Sequence, residues 1–167
     1  FIAYDPKTTF TESGYLKSRF IDDKGSVSLL ITLLKLMKDA GVKPAYHTEI
    51  AFTVYEEVGH GGAAMFENMD ELLVVDMGCV GDDLSCTEQQ VSICAKDSGG
   101  PYDYDMVSRL VRLAEENGVD FAVDIYPRYS SDAGAYWGAG HDTPAALIGP
   151  GVWGSHGMER THLDGLI

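Results

Sequence analysis

The chain is poor in positive charge, in paired cysteines and in long apolar runs, and each shortage argues against a class of function. Only 12 lysines and arginines stand against 26 aspartates and glutamates, a formal net charge of -14. A chain of that sign repels phosphate backbones and anionic headgroups, so nucleic acid and membrane surfaces are poor partners and cations are good ones. The three cysteines, Cys79, Cys86 and Cys94, are odd in number and lack the paired CxxC spacing of a structural zinc site. They read as free thiols of a reducing, cytoplasmic setting, with Cys79 and Cys94 as small apolar residues of buried strands. No apolar run reaches the roughly 20 residues needed to span a bilayer, and Phe1-Ile-Ala-Tyr-Asp5 lacks the features of a signal peptide. The glycines of Ala146-Leu-Ile-Gly-Pro-Gly151 match neither a Walker A loop nor a dinucleotide fingerprint, which argues against nucleotides.

With 167 residues and 45% hydrophobic content, the chain can bury one ordinary core. Turn and β signals over residues 1–20 resemble a returning strand pair. The stripe Val27, Leu29, Leu30, Leu33, Leu34, Met37 predicts a helix over about 24–40, and Val107, Leu110, Val111, Leu113, Ala114 predicts another over about 104–117. Apolar runs predict strands at 49–55, 71–76, 91–95, 121–126 and 145–149. Gly41, Gly118 and Gly140 stand where helices should stop. Helices interleaved with short apolar strands predict an α/β fold, a three-layer α/β/α sandwich on a mostly parallel sheet.

Acidic residues fall at the tips of these elements. Glu56-Glu57 closes the expected strand Ile50, Phe52, Val54 just before Gly59, Gly61 and Gly62. Asp22-Asp23 precedes the first helix, and Asp76 ends Leu72-Leu-Val-Val-Asp76. Carboxylates at the ends of buried elements cost several kcal/mol to desolvate unless positive charge compensates, and a divalent cation would compensate all of them. Adjacent glutamates also divide labour: one can ligate while the other moves a proton. Carboxylate and imidazole donors suit zinc, cobalt or manganese. Taken singly, Asp22-Asp23 could be a helix cap with favourable dipole placement, and Glu56-Glu57 a solvated strand end.

The motifs Phe20-Ile-Asp-Asp-Lys-Gly25, Thr53-Val-Tyr-Glu-Glu-Val-Gly59, Val74-Val-Asp-Met77 and Ser155-His-Gly-Met-Glu-Arg-Thr-His162, in this order, resemble the tetrahedral or glutamyl aminopeptidases, two-metal peptidases. The likeness extends through Tyr4-Asp-Pro6, Thr11-Glu-Ser-Gly14, Ser92-Ile-Cys-Ala-Lys-Asp97 and Ser131-Asp-Ala133. It implies an enzyme that removes N-terminal residues from peptides with two divalent metal ions, zinc or cobalt first and manganese next. It implies Asp22 as the carboxylate bridging both metals, Glu57 and His162 as further ligands of one, Asp76 as a ligand of the other, and Glu56 as the general base. Beside these, Asp23, His60, Asp132 and His156 read as residues that support the ligands or contact substrate. His156 and His162 compete for one ligand position, and the match at Arg160-Thr-His162 assigns it to His162. Asp132 also reads as a helix N-cap, and His60 lies close enough to the doublet to reach a metal.

The family's second site uses a histidine in an early His-x-Asp motif, upstream of an inserted β domain, and that early histidine is missing here. The resemblance therefore implies that residues 1–20 are the tail of the inserted dimerisation domain and 21–167 a truncated catalytic domain lacking the first strand. It further implies a homo-oligomer in which dimers build a dodecamer. A related metal-dependent amidohydrolase or deacylase, and a catalytically silent subunit of an assembly, are the alternatives.

Overall fold

The computed structural model describes residues 1–167. Strands β1 (Thr9–Phe10) and β2 (Tyr15–Ser18) form an antiparallel hairpin, and the 20-residue segment α1 (Ile21–Ala40) follows. Next come β3 (Leu72–Val75), β4 (Gly78–Val80), β5 (Val91–Asp97) and β6 (Gly100–Pro101). The remaining elements are α2 (Tyr104–Asn117), β7 (Phe121–Ile125), α3 (Asp132–Gly138), β8 (Ala145–Trp153), β9 (Glu159–His162) and α4 (Leu163–Leu166).

Strand β8 organises the sheet. It pairs in parallel with β3 and β4 in succession, and antiparallel with β5 and β9. Strand β7 adds to β5 in parallel, and β2 adds to β9 antiparallel, so residues 15–18 are built into the same open sheet. The pairing is thus mixed, where the sequence pattern predicts mostly parallel strands. An apolar run such as Ala145-Ala-Leu-Ile reports burial on both faces but carries no information on the direction of its neighbours. Almost every residue of β8 is buried, because α1 and α4 pack near β8 and β9 while α2 lies against β5 and β8. The core gathers Leu72, Cys94, Tyr126, Tyr136, Leu147 and Val152 around these strands.

Local chemistry explains the helices. Asp103 caps α2 by accepting from Met106 N at 2.8 Å, and Gly118 ends it in the left-handed conformation. Regular helical geometry in α1 begins only after Asp23, since Asp22 and Asp23 have non-helical dihedrals, and Gly41 stops it at φ +67°. The buried residues of α1 are Ile21, Gly25 and Ser26, all near its start, while Ile31, Leu33, Leu34 and Leu36 remain exposed.

The expected strand at 49–55 does not form. That stretch runs as irregular chain into two short 3-10 turns, Glu56–Val58 and Gly61–Ala64, with Phe52 and Val54 exposed. A strand needs a hydrogen-bonded neighbour, and no ladder of this chain reaches these residues.

Candidate metal centre

Four segments meet where β3 ends. Strand β3 delivers Asp76, whose N–H donates to the Ile148 carbonyl (3.0 Å), so the backbone of β8 holds it in place. This approach requires Gly149: a Cβ there would lie 1.5 Å from the Asp76 carbonyl oxygen. The start of α1 delivers Asp22 and Asp23, the first 3-10 turn delivers Glu56 and Glu57, and the turn before β9 delivers His156.

Ligand atoms of Asp22, Glu57 and His156 lie within 4.8 Å of one another, and so do those of Asp22, Asp23 and Asp76, with Asp22 common to both groups. His156 Nε2 stands 3.0 Å from Glu57 Oε2 and 3.3 Å from Asp22 Oδ2. The Asp22 side chain is only 6% exposed, whereas those of Glu57 and His156 face a cavity of about 500 Å³ that Glu56, Asp76, Arg128 and Tyr129 also line. An imidazole and two carboxylates, with further carboxylates alongside and no lysine among them, form a donor set that fits zinc, cobalt or manganese.

The electrostatics point the same way. Burial, followed by the charges of Asp132, Glu57 and Asp22, lifts Glu56 to about 7. Burial, reinforced by Asp22, lifts Asp23 to about 8, and burial together with Asp23 and Asp22 raises Asp76 well above the usual carboxylate range. Glu57 is raised too, chiefly by desolvation and then by Asp22. Carboxylates crowded this way hold protons in the absence of a cation and exchange them for one when it binds.

His162 lies elsewhere. Its Nε2 bonds the Ser13 carbonyl (2.8 Å), its Nδ1 accepts from Asp164 N (3.1 Å) at the start of α4, and its ring meets Tyr15 edge-on. In that tautomer the only acceptor nitrogen is already engaged, so no lone pair is left for a cation. Glycine at position 14 makes room for the ring, since a Cβ there would fall 2.6 Å from Nε2. The structure therefore sets His156, and not the expected His162, beside Asp22 and Glu57. His60 stacks on Tyr55 with ring centroids 4.9 Å apart and belongs to neither acidic group.

Asp132 is not the cap of α3. Ser131 takes that role by accepting from Ala133 N (3.2 Å), which frees Asp132 to accept from the Thr53 hydroxyl (2.6 Å) and from Gly62 N (2.5 Å). Its carboxylate thereby ties down both ends of the segment that carries Glu56 and Glu57.

Two contributors escaped the sequence reading. Ser155 donates its hydroxyl to Asp22 Oδ2 at 2.6 Å, and Glu159 accepts from the backbone of Asp22 and of His156. A serine and an acidic residue flanking a Gly-His-Gly-like turn, Gly154-Ser-His-Gly157, were the available signal.

The fold is that of the TET aminopeptidases. A TET aminopeptidase from the archaeon Thaumarchaeota archaeon SCGC AB-539-E09 superposes with a TM-score of 0.86 at 17% identity, over 95% of this chain and 48% of that one. The Pyrococcus horikoshii TET1 peptidase does so with a TM-score of 0.77 at 23% identity, over 96% and 49%. The chain belongs to the M42 glutamyl aminopeptidase family, whose model matches residues 1–167. It is 44% identical over 167 residues to the Bacillus subtilis (strain 168) protein named "Putative aminopeptidase YhfE", covering 99% of this chain and 48% of that protein. The chain thus spans about half the length of the curated relative it matches.

Proposed function

We propose that this chain forms the main part of the catalytic centre of a divalent-metal-dependent aminopeptidase that removes N-terminal residues from peptides. One observation carries the reading: the Asp22 carboxylate is shared by two ligand groups, with Glu56 beside them on the same cavity. Asp22, Glu57 and His156 would hold one cation, and Asp22 with Asp76 a second, with zinc or cobalt the best match to the donors and manganese next. A cation held there supplies Lewis-acid polarisation of the peptide carbonyl and acidifies water.

The chain's own residues do the rest. Glu56, lifted to about 7 in the metal-free chain, is matched to take a proton from water near neutral pH and return it to the leaving amine. The acidic rim attracts the substrate's N-terminal ammonium. Asp23 and Asp132 act one layer out, Asp132 by fixing the Glu56 segment. Family membership supports peptide bonds over other amides as the target.

In the same reading, residues 1–20 lead in from an inserted dimerisation domain, with β2 already part of the catalytic sheet, and residues 21–167 are catalytic. Dimers assembling to a dodecamer are in keeping with a structural neighbour described as the PhTET1-12s dodecamer and with the TET1 peptidase, said to assemble into a tetrahedron or a large octahedral shell. Three free, buried cysteines support a cytoplasmic setting, and no helix is long and apolar enough to cross a membrane. Aminoacyl p-nitroanilides assayed with a protein of the relatives' length, beside its Asp22→Asn form, test the proposal. Metal-dependent release that Asp22→Asn abolishes supports it, and turnover indifferent to chelators contradicts it.

A further inference from the structure

Glu159 opens β9 and is 2% exposed. Across the sheet it stands opposite Ser18 of β2, four residues ahead of Asp22, and it follows His156 by three. Both carboxylate oxygens are committed to backbone donors: Oε2 accepts from Asp22 N at 2.9 Å and Oε1 from His156 N at 3.1 Å. Neither lysine nor arginine is bonded to it, so a buried charge is stabilised by the very peptides that carry two of the candidate ligands. Charge-assisted bonds of this kind are the stronger and more directional ones. One of those peptides needs the support, because His156 sits in the left-handed region at φ +64°, where residues other than glycine are strained. The turn around it closes with Gly157 N donating to the Gly154 carbonyl at 3.0 Å, and the Glu159 contact fixes how that turn faces Asp22.

We propose that Glu159 is a positioning residue, a single carboxylate that locks the Asp22 and His156 backbones together so that their side chains hold a cation in one geometry. The inference deepens the metal reading above and rests on it. It separates into a local effect and a fold-wide one. A carboxylate that only buttressed the sheet would change stability when altered, and leave the coordination of a bound metal unchanged in any molecule that still folds. A carboxylate that sets ligand geometry changes both affinity and coordination. Removing such an outer partner commonly weakens metal binding by about 10- to 100-fold.

The test uses the 167-residue chain with Co²⁺ as the probe, because its visible d–d bands report coordination directly. Glu159→Gln keeps the shape and one acceptor but turns an N–H group toward one of the two backbone donors. The expected result is a folded variant that binds Co²⁺ about 10-fold more weakly and shows altered bands at saturation. A folded variant with wild-type affinity and wild-type bands would overturn the proposal. If Glu159→Gln does not fold, amide hydrogen exchange in the wild-type chain decides: slow exchange at Asp22 N and His156 N supports the clamp, and exchange at unprotected rates overturns it. Asp22→Asn separates the two levels. A wild-type chain that takes up no Co²⁺, or takes it up as well with Asp22→Asn, defeats the metal reading and this inference together. Cobalt uptake that needs Asp22 but ignores Glu159 defeats this inference alone.

Discussion

His156 Nε2 lies 3.0 Å from Glu57 Oε2, while the ring of His162 is turned to the Ser13 carbonyl. The two histidines should therefore part on substitution. His156→Ala should weaken Zn²⁺ or Co²⁺ binding by about 100-fold or more while leaving the melting temperature of the metal-free chain nearly unchanged, since its side chain is 63% exposed. His162→Ala should leave metal affinity close to wild type but lower stability by about 1–3 kcal/mol, because it removes a buried ring together with its bonds to the Ser13 carbonyl and the Asp164 N–H. Calorimetric metal titration beside thermal melting reads both, and the reverse pattern would reassign the ligand.

Glu56→Gln should keep metal affinity within a few-fold of wild type and reduce turnover by about 100-fold or more in a protein of the relatives' length, the usual scale for losing a general base. Loss of metal together with activity would make Glu56 a ligand instead.

The raised carboxylates predict an unusual pH dependence. Glu56 at about 7 and Asp23 at about 8 stand above their unfolded values, so between about pH 4.5 and 8 the metal-free folded chain binds more protons than the unfolded one. Stability therefore falls as pH rises through that window and is fully retained below it. Urea midpoints at pH 5 and pH 8 in EDTA should show the pH 5 sample to be the more stable, and saturating Zn²⁺ or Co²⁺ should shrink the difference by replacing the protons. Equal midpoints in EDTA would mean that these groups are not crowded together.

Gly62→Ala should damage both fold and site. A Cβ at that position would lie 2.0 Å from the Asp132 carbonyl oxygen, so the Gly61–Ala64 turn must move away from α3 and give up the bond from Gly62 N to Asp132. A loss of about 1–3 kcal/mol is expected. Gly41→Ala, where a Cβ meets nothing within 4 Å, should cost less, through its left-handed φ alone. Denaturant melts of both variants compare the costs.

Helix α2 was legible in outline because its signals are local: a 3.6-residue apolar period and a terminal glycine that takes the left-handed conformation. The same holds for the apolar runs that became β3, β5 and β7. What the pattern around residues 49–55 could not convey is that a strand depends on a partner, and here none of the chain's ladders supplies one. Strand direction was likewise invisible, since the antiparallel match of Ile93 with Ile148 is a contact across more than fifty residues.

Within the site, Asp22 and Asp76 stood out because charge at the end of a buried element is locally anomalous, and Glu57 because it closes an apolar run that reads as a strand, although no strand forms there. His156 and His162 are six residues apart, and composition alone does not separate them. The difference lies in local form: His162 follows directly on strand residues and precedes α4, whereas His156 rides a turn between Gly154 and Gly157 with a left-handed backbone. Glu159 and Ser155 were missed because their contacts are to the backbone and side chain of Asp22, more than 130 residues away.

Titration calorimetry of the metal-free chain with Zn²⁺, run beside Asp22→Asn, tests the central claim most directly. The account predicts one tight site per chain, built on Asp22, Glu57 and His156, a weaker second event at the carboxylates of Asp22 and Asp76, and loss of both in the variant. Zinc bound equally well by Asp22→Asn, or no heat of binding in the wild-type chain, would contradict it.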